Sequence, residues 1–127
     1  MIYQARVLAL SDDVEEEVNL QINDVRLNCF AGVCPYPIQE GGTYPVCLEL
    51  VVFDDYEVAE SSGNALPAFS KMGNSFGYLV HGRLNGTCLE AGGLVFEDEV
   101  LQRDFGYLDG RCVTMKVDRI DVEFLTR

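Results

Sequence analysis

The sequence predicts a mainly β protein: an antiparallel, closed or half-closed barrel of six or seven strands with at most one short helix. Three observations predict it. Val, Ile, Leu, Tyr and Phe recur with period two in short runs cut by Gly, Asn and Asp, while the 3.6-residue period of a helix is nearly absent. Asn23-Asp24 and Asn85-Gly86 sit between alternating apolar stretches, the signature of two-residue hairpin turns. Asp54-Asp55 and Asp118-Arg119 interrupt long strands and read as bulges, which curve a strand, and closure then removes exposed edges. A chain of 127 residues fits one domain, residues 1–127, and buries about two-thirds of its unfolded surface.

Residues 2–10 form the first predicted strand, with Tyr3, Ala5, Val7 and Ala9 on one face. An acidic run, residues 12–17, leads into the first hairpin. A turn at Asn23-Asp24 sets Ile22 opposite Val25, Leu20 opposite Leu27 and Val18 opposite Cys29, with Gln21–Arg26 and Asn19–Asn28 on the other face. A slip of one residue would scramble that sorting of apolar from polar pairs, which specifies the register. Residues 31–43, carrying Pro35 and Pro37, form a long loop, and residues 44–53 form the most hydrophobic strand. Strand structure resumes over residues 56–60. Residues 61–75 read as a connection holding at most one helical turn over 67–72. The second hairpin, turning at Asn85-Gly86, pairs Leu84 with Thr87, Gly82 with Leu89, Val80 with Ala91, and sets His81 opposite Glu90 and Arg83 opposite Cys88. Residues 97–110 are a second loop with a turn at Asp109-Gly110, and residues 111–125 are the final strand.

This order of strand, hairpin, long strand, loop, hairpin and strand resembles an OB-fold over most of the chain, by topology and without a signature motif. The resemblance implies a single-stranded nucleic-acid module with a basic groove and stacking aromatics. Phe30, Tyr36, Tyr44 and Phe53 lie in the matching region, but Arg26 is the only cation of those strands, amid Asp24, Glu49, Asp54 and Asp55. The chain also departs from the resemblance where a helix is expected between the third and fourth main strands, because Gly63, Pro67 and Gly73 fall there.

Charge decides between the functional readings. With 21 acidic residues against 9 basic ones the net charge is -12, which repels nucleic-acid phosphates and anionic membranes and favours a basic protein partner. Three acidic runs carry much of it: Asp12, Asp13, Glu15, Glu16 and Glu17; Asp54, Asp55 and Glu57; Glu97, Asp98 and Glu99. None has the alternating oxygen ligands, central Gly and terminal Glu of an EF-hand. The five cysteines form no CxxC pair and no zinc spacing, so no metal is expected, and Gly41-Gly42 and Gly92-Gly93 lack the setting of a phosphate loop, so no cofactor is expected. The N-terminus has no basic stretch followed by a long apolar one, and no apolar run reaches the ~18 residues that span a bilayer, so a cytoplasmic location is the expectation.

Candidate catalytic residues are His81, the only histidine, with Glu90 as the carboxylate that orients it, and Cys34, a thiol in a proline-rich loop. No nucleophile motif accompanies them. The sequence therefore reads as a non-catalytic acidic binding module for a protein partner, in the manner of an inhibitor or immunity protein. The alternatives are an OB-fold nucleic-acid module and a small enzyme using His81 and Glu90.

Overall fold

The period-two pattern becomes eleven strands in the computed structural model, which describes residues 1–61 and 66–126. They are β1 (Tyr3–Leu10), β2 (Glu17–Ile22), β3 (Val25–Val33), β4 (Thr43–Val51), β5 (Glu57–Glu60), β6 (Phe69–Lys71), β7 (Tyr78–Asn85), β8 (Cys88–Ala91), β9 (Leu94–Glu97), β10 (Cys112–Val117) and β11 (Arg119–Phe124). One helix, α1 (Glu99–Phe105), precedes β10. The chain forms two compact units, Met1–Glu49 with Arg119–Arg127, and Leu50–Asp118. Six or seven strands become eleven because Gly, Pro and Asp divide the long apolar stretches into shorter hydrogen-bonded pieces.

In the first unit the ladder runs β1-β2-β3-β11-β4, and β4 also pairs with β1. The β2–β3 hairpin has the register that the sequence specifies: Val18 faces Cys29, Leu20 faces Leu27 and Ile22 faces Val25. Asn23 opens its turn at φ 53, a left-handed conformation that Asn tolerates. The core takes one residue in two from each strand, Ala5 and Val7, Val18 and Leu20, Leu27 and Cys29, Ile120 and Phe124, all buried. β11 runs parallel to β3, an exception to the antiparallel expectation that only the tertiary fold reveals.

In the second unit the order is β5-β10-β7-β8-β9, with β6 beside β7. Here the sequence-derived pairing shifts. Arg83 faces Glu90, Leu84 faces Leu89 and Asn85 faces Cys88, so the turn is Gly86-Thr87 and not Asn85-Gly86. Gly86 supplies the positive φ of 62 at the first central position, as a Gly-X hairpin turn requires. A shift of two residues keeps every side chain on its face while changing its partner. Gly92-Gly93, both at positive φ, then turn β8 into β9.

The described part of the 61–75 connection, expected to hold at most one helical turn, holds none: Phe69–Lys71 form β6, and the Phe69 ring packs edge-on against Tyr78 and Phe96 with centroids 6.4 and 5.9 Å apart. Gly63, within the expected connection, lies outside the described residues. The loop expected over 97–110 contains α1 instead, started by Asp98, whose Oδ1 accepts the Val100 N–H at 3.0 Å, and anchored by buried Leu101. Asp118-Arg119 is a strand break more than a bulge. There the chain leaves the second unit, with the Asp118 N–H donating to the Val51 carbonyl at 2.9 Å and Asp118 Oδ2 accepting the Phe53 N–H at 2.7 Å. Among the described residues no helix is long and apolar enough to cross a membrane.

Cys29 gives a pH-dependent prediction. Burial, and then the Asp121 carboxylate, push its thiol far above the usual cysteine range. Above the ~8.5 at which an unfolded cysteine titrates, the unfolded chain releases a proton that the native state retains, so stability falls as pH rises. Urea unfolding at pH 8 and pH 10 is expected to show the wild type losing about 2 kcal/mol more than Cys29→Ala over that interval. Equal losses in the two proteins would contradict the assignment.

Candidate functional site

The first unit carries a groove of about 750 Å³, within the roughly 300–1,000 Å³ span of ligand sites. Leu10, Ser11, Glu15 and Glu16 line it from the end of β1 and the β1–β2 connection, Val18, Ala31 and Gly32 from the β2–β3 hairpin, and Cys34, Pro35, Tyr36, Pro37 and Ile38 from the loop that follows. No Lys or Arg is among these lining residues.

Both walls are built structures. On the acidic side, Ser11 Oγ accepts the Asp13 and Val14 N–H groups at 3.2 and 3.1 Å, and the Glu17 N–H donates to the Val14 carbonyl at 3.1 Å. That turn holds Glu15 exposed and Glu16 half-buried at the rim. The hairpin register continues past Val18–Cys29, so the Ala31 N–H donates to the Glu16 carbonyl at 2.7 Å and brings the acidic run beside the proline loop. In the loop after β3 two prolines restrict the backbone. The Tyr36 hydroxyl donates to the Leu125 carbonyl at 2.6 Å, its ring lies 5.8 Å from that of Tyr44, and the Tyr44 hydroxyl accepts the Gln39 N–H at 2.9 Å. Tyr44 in turn meets buried Phe124 edge-on at 5.9 Å. The result is a groove lined by carboxylates and apolar side chains, with the Tyr36 segment tied into the core.

Of the candidate catalytic residues, only Cys34 reaches this groove. It is exposed, and its thiol donates to the Tyr36 carbonyl at 3.1 Å. His81 and Glu90 are not brought together, because the two-residue shift of the β7–β8 hairpin gives Glu90 to Arg83. His81 instead faces Thr114 across β7 and β10, with Nδ1 3.2 Å from Thr114 Oγ1 and 3.0 Å from Ser61 Oγ. Glu90 is exposed and accepts from the Asn85 amide at 3.3 Å.

The acidic runs divide between the units. Asp12, Asp13, Glu15, Glu16 and Glu17 belong to the first, where Glu17 accepts from the Asn28 amide at 2.8 Å. The other two runs meet in the second unit: the Tyr56 hydroxyl donates to Asp98 Oδ2 at 2.5 Å, joining Asp54, Asp55 and Glu57 to Glu97, Asp98 and Glu99. Glu57 pairs with Lys116 at 3.4 Å, and Asp98 caps α1. Each unit carries a sequence charge of -6, from ten acidic against four basic residues in the first and eleven against five in the second. Among the described residues no group of three or more His, Cys, Asp and Glu is placed to hold a metal ion.

The aromatics of the OB-like reading are engaged elsewhere. The Arg119 guanidinium covers the Phe30 ring at 4.1 Å, Tyr36 and Tyr44 form the groove wall, and Phe53 is exposed in the other unit. The groove itself was missed from sequence. Its signal was the first hairpin's register, which extended by two pairs beyond Val18–Cys29 puts Glu16 opposite Ala31.

Residues 1–125 match the family model described as "Uncharacterised conserved protein UCP019853". No curated protein and no solved structure matches the chain.

Proposed function

Because the chain belongs to this uncharacterised conserved family, whose description assigns no activity, we propose its function from the site: it is a non-catalytic acidic module that binds a basic protein partner. The single observation that carries this reading is the groove of the first unit, lined by Glu15 and Glu16, by apolar side chains and by no cation. Complementary charge raises encounter rates and rejects wrong partners, while apolar contact supplies most of the affinity. The net charge of -12 supports the same choice and opposes a nucleic-acid ligand. We read the scaffold as a small OB-like β-barrel, supported by a ladder in which β4 pairs back to β1, and the protein as acting in the cytoplasm.

Charge reversal tests the reading. Immobilised wild type is expected to retain basic protein from native extract at about 0.1 M salt and to release it as salt rises, since screening shortens from ~10 Å at 0.1 M to ~3 Å at 1 M. The double variant Glu15→Lys/Glu16→Lys is expected to weaken retention roughly tenfold, from two exposed pairs lost and replaced by repulsion. Retention unchanged by the reversal would overturn the proposal.

A further inference from the structure

We propose that the occupant of the groove is an extended segment of the partner chain in which cationic and apolar side chains alternate; this deepens the acidic-module reading and rests on it. The two segments that line the groove differ in chemistry. Glu15 and Glu16 stand on the β1–β2 connection, and Pro35, Pro37 and Ile38 on the loop after β3. A ligand that satisfies both presents positive charge to the first and hydrocarbon to the second. An extended chain does this with no further structure, because successive side chains point to opposite sides. A helix, ~10–12 Å across, would exhaust about 750 Å³ in less than about two turns, too short to be stable by itself. Pro35 and Pro37 lack N–H groups, so that segment offers fewer backbone donors and more hydrocarbon for side-chain packing.

Cys34 reports occupancy, since it is exposed and lines the same groove. The test uses the whole wild-type chain and blocked short peptides: one alternating lysine with leucine, one alternating lysine with glycine at the same charge, and one alternating serine with leucine. Binding is read by fluorescence anisotropy of labelled peptide. Occupancy is read by the rate at which iodoacetamide modifies Cys34, measured by mass on the fragment that contains it. The lysine–leucine peptide is expected to bind at least about tenfold more tightly than lysine–glycine, from leucine burial, and to slow Cys34 modification at saturation. Glu15→Gln/Glu16→Gln is expected to remove most of that protection. Equal binding of both lysine peptides with no protection of Cys34 would overturn the groove assignment and leave the acidic module standing. Equal protection by serine–leucine would overturn the demand for a cation. Failure of both lysine peptides to bind would overturn the inference together with the reading on which it rests.

Discussion

Phe124→Ala is expected to lower stability by about 3–5 kcal/mol, the usual result of truncating a buried aromatic. Phe124 is 1 % exposed and closes the first unit's core beside Ile120 and Val122. Native domains hold only ~5–15 kcal/mol in reserve, so this is a large share of the whole. The effect has a functional side as well. The Phe124 ring supports Tyr44, Tyr44 stacks on Tyr36 and receives the Gln39 N–H, and those contacts hold the groove wall. Urea denaturation gives the stability change, and the variant is also expected to modify Cys34 faster than wild type because that wall loosens. A loss below about 1 kcal/mol would show that Phe124 is not a core residue.

Gly82→Ala is expected to cost about 3 kcal/mol or more, at the upper end of overpacking effects. A Cβ at Gly82 would lie 2.2 Å from the Glu90 carbonyl oxygen and 3.0 Å from the Ala91 Cβ. The first of these is backbone, so no rotamer change relieves the clash, and β7 and β8 must move apart. Because β7 also pairs with β10 and β6, the disturbance reaches three ladders of the second unit. Gly86→Ala is a useful contrast: nothing lies within 4 Å of its Cβ, and its cost comes from a φ of 62. Thermal unfolding of the two variants side by side checks the argument, with Gly82→Ala expected to melt lower. The reverse order would show that β7 and β8 are spaced more widely than described.

Local chemistry made part of this fold legible, and its limits follow from particular residues. The first hairpin was readable because Asn23-Asp24 lies between strands whose alternation tolerates one register only. The second was readable to within two residues. Asn85-Gly86 is a stronger turn signal than Gly86-Thr87, and either choice keeps the apolar face intact, so patterning could not arbitrate. Gly92-Gly93 is a hairpin signal as well as a fragment of a phosphate-loop pattern, and it turns β8 into β9. The helix α1 is seven residues long with one buried side chain, too short for a visible period, although Asp98 ahead of Glu99 is a capping signal. β6 depends on the Phe69 ring meeting Tyr78 and Phe96, and the parallel β3–β11 pair joins residues about ninety positions apart; neither is written locally. For the same reason the site was visible as ingredients, the acidic run and Cys34 with its prolines, and not as a groove.

The proposed basic segment lies against the first unit between the β1–β2 connection and the proline loop. Backbone amide shifts of isotope-labelled protein, titrated with the lysine–leucine peptide, test this placement directly. Perturbations are expected to concentrate at residues 10–18 and 31–38 and to shrink as salt is raised. Perturbations centred on residues 54–57 and 97–99 instead, or none at peptide concentrations that saturate a micromolar site, would contradict it.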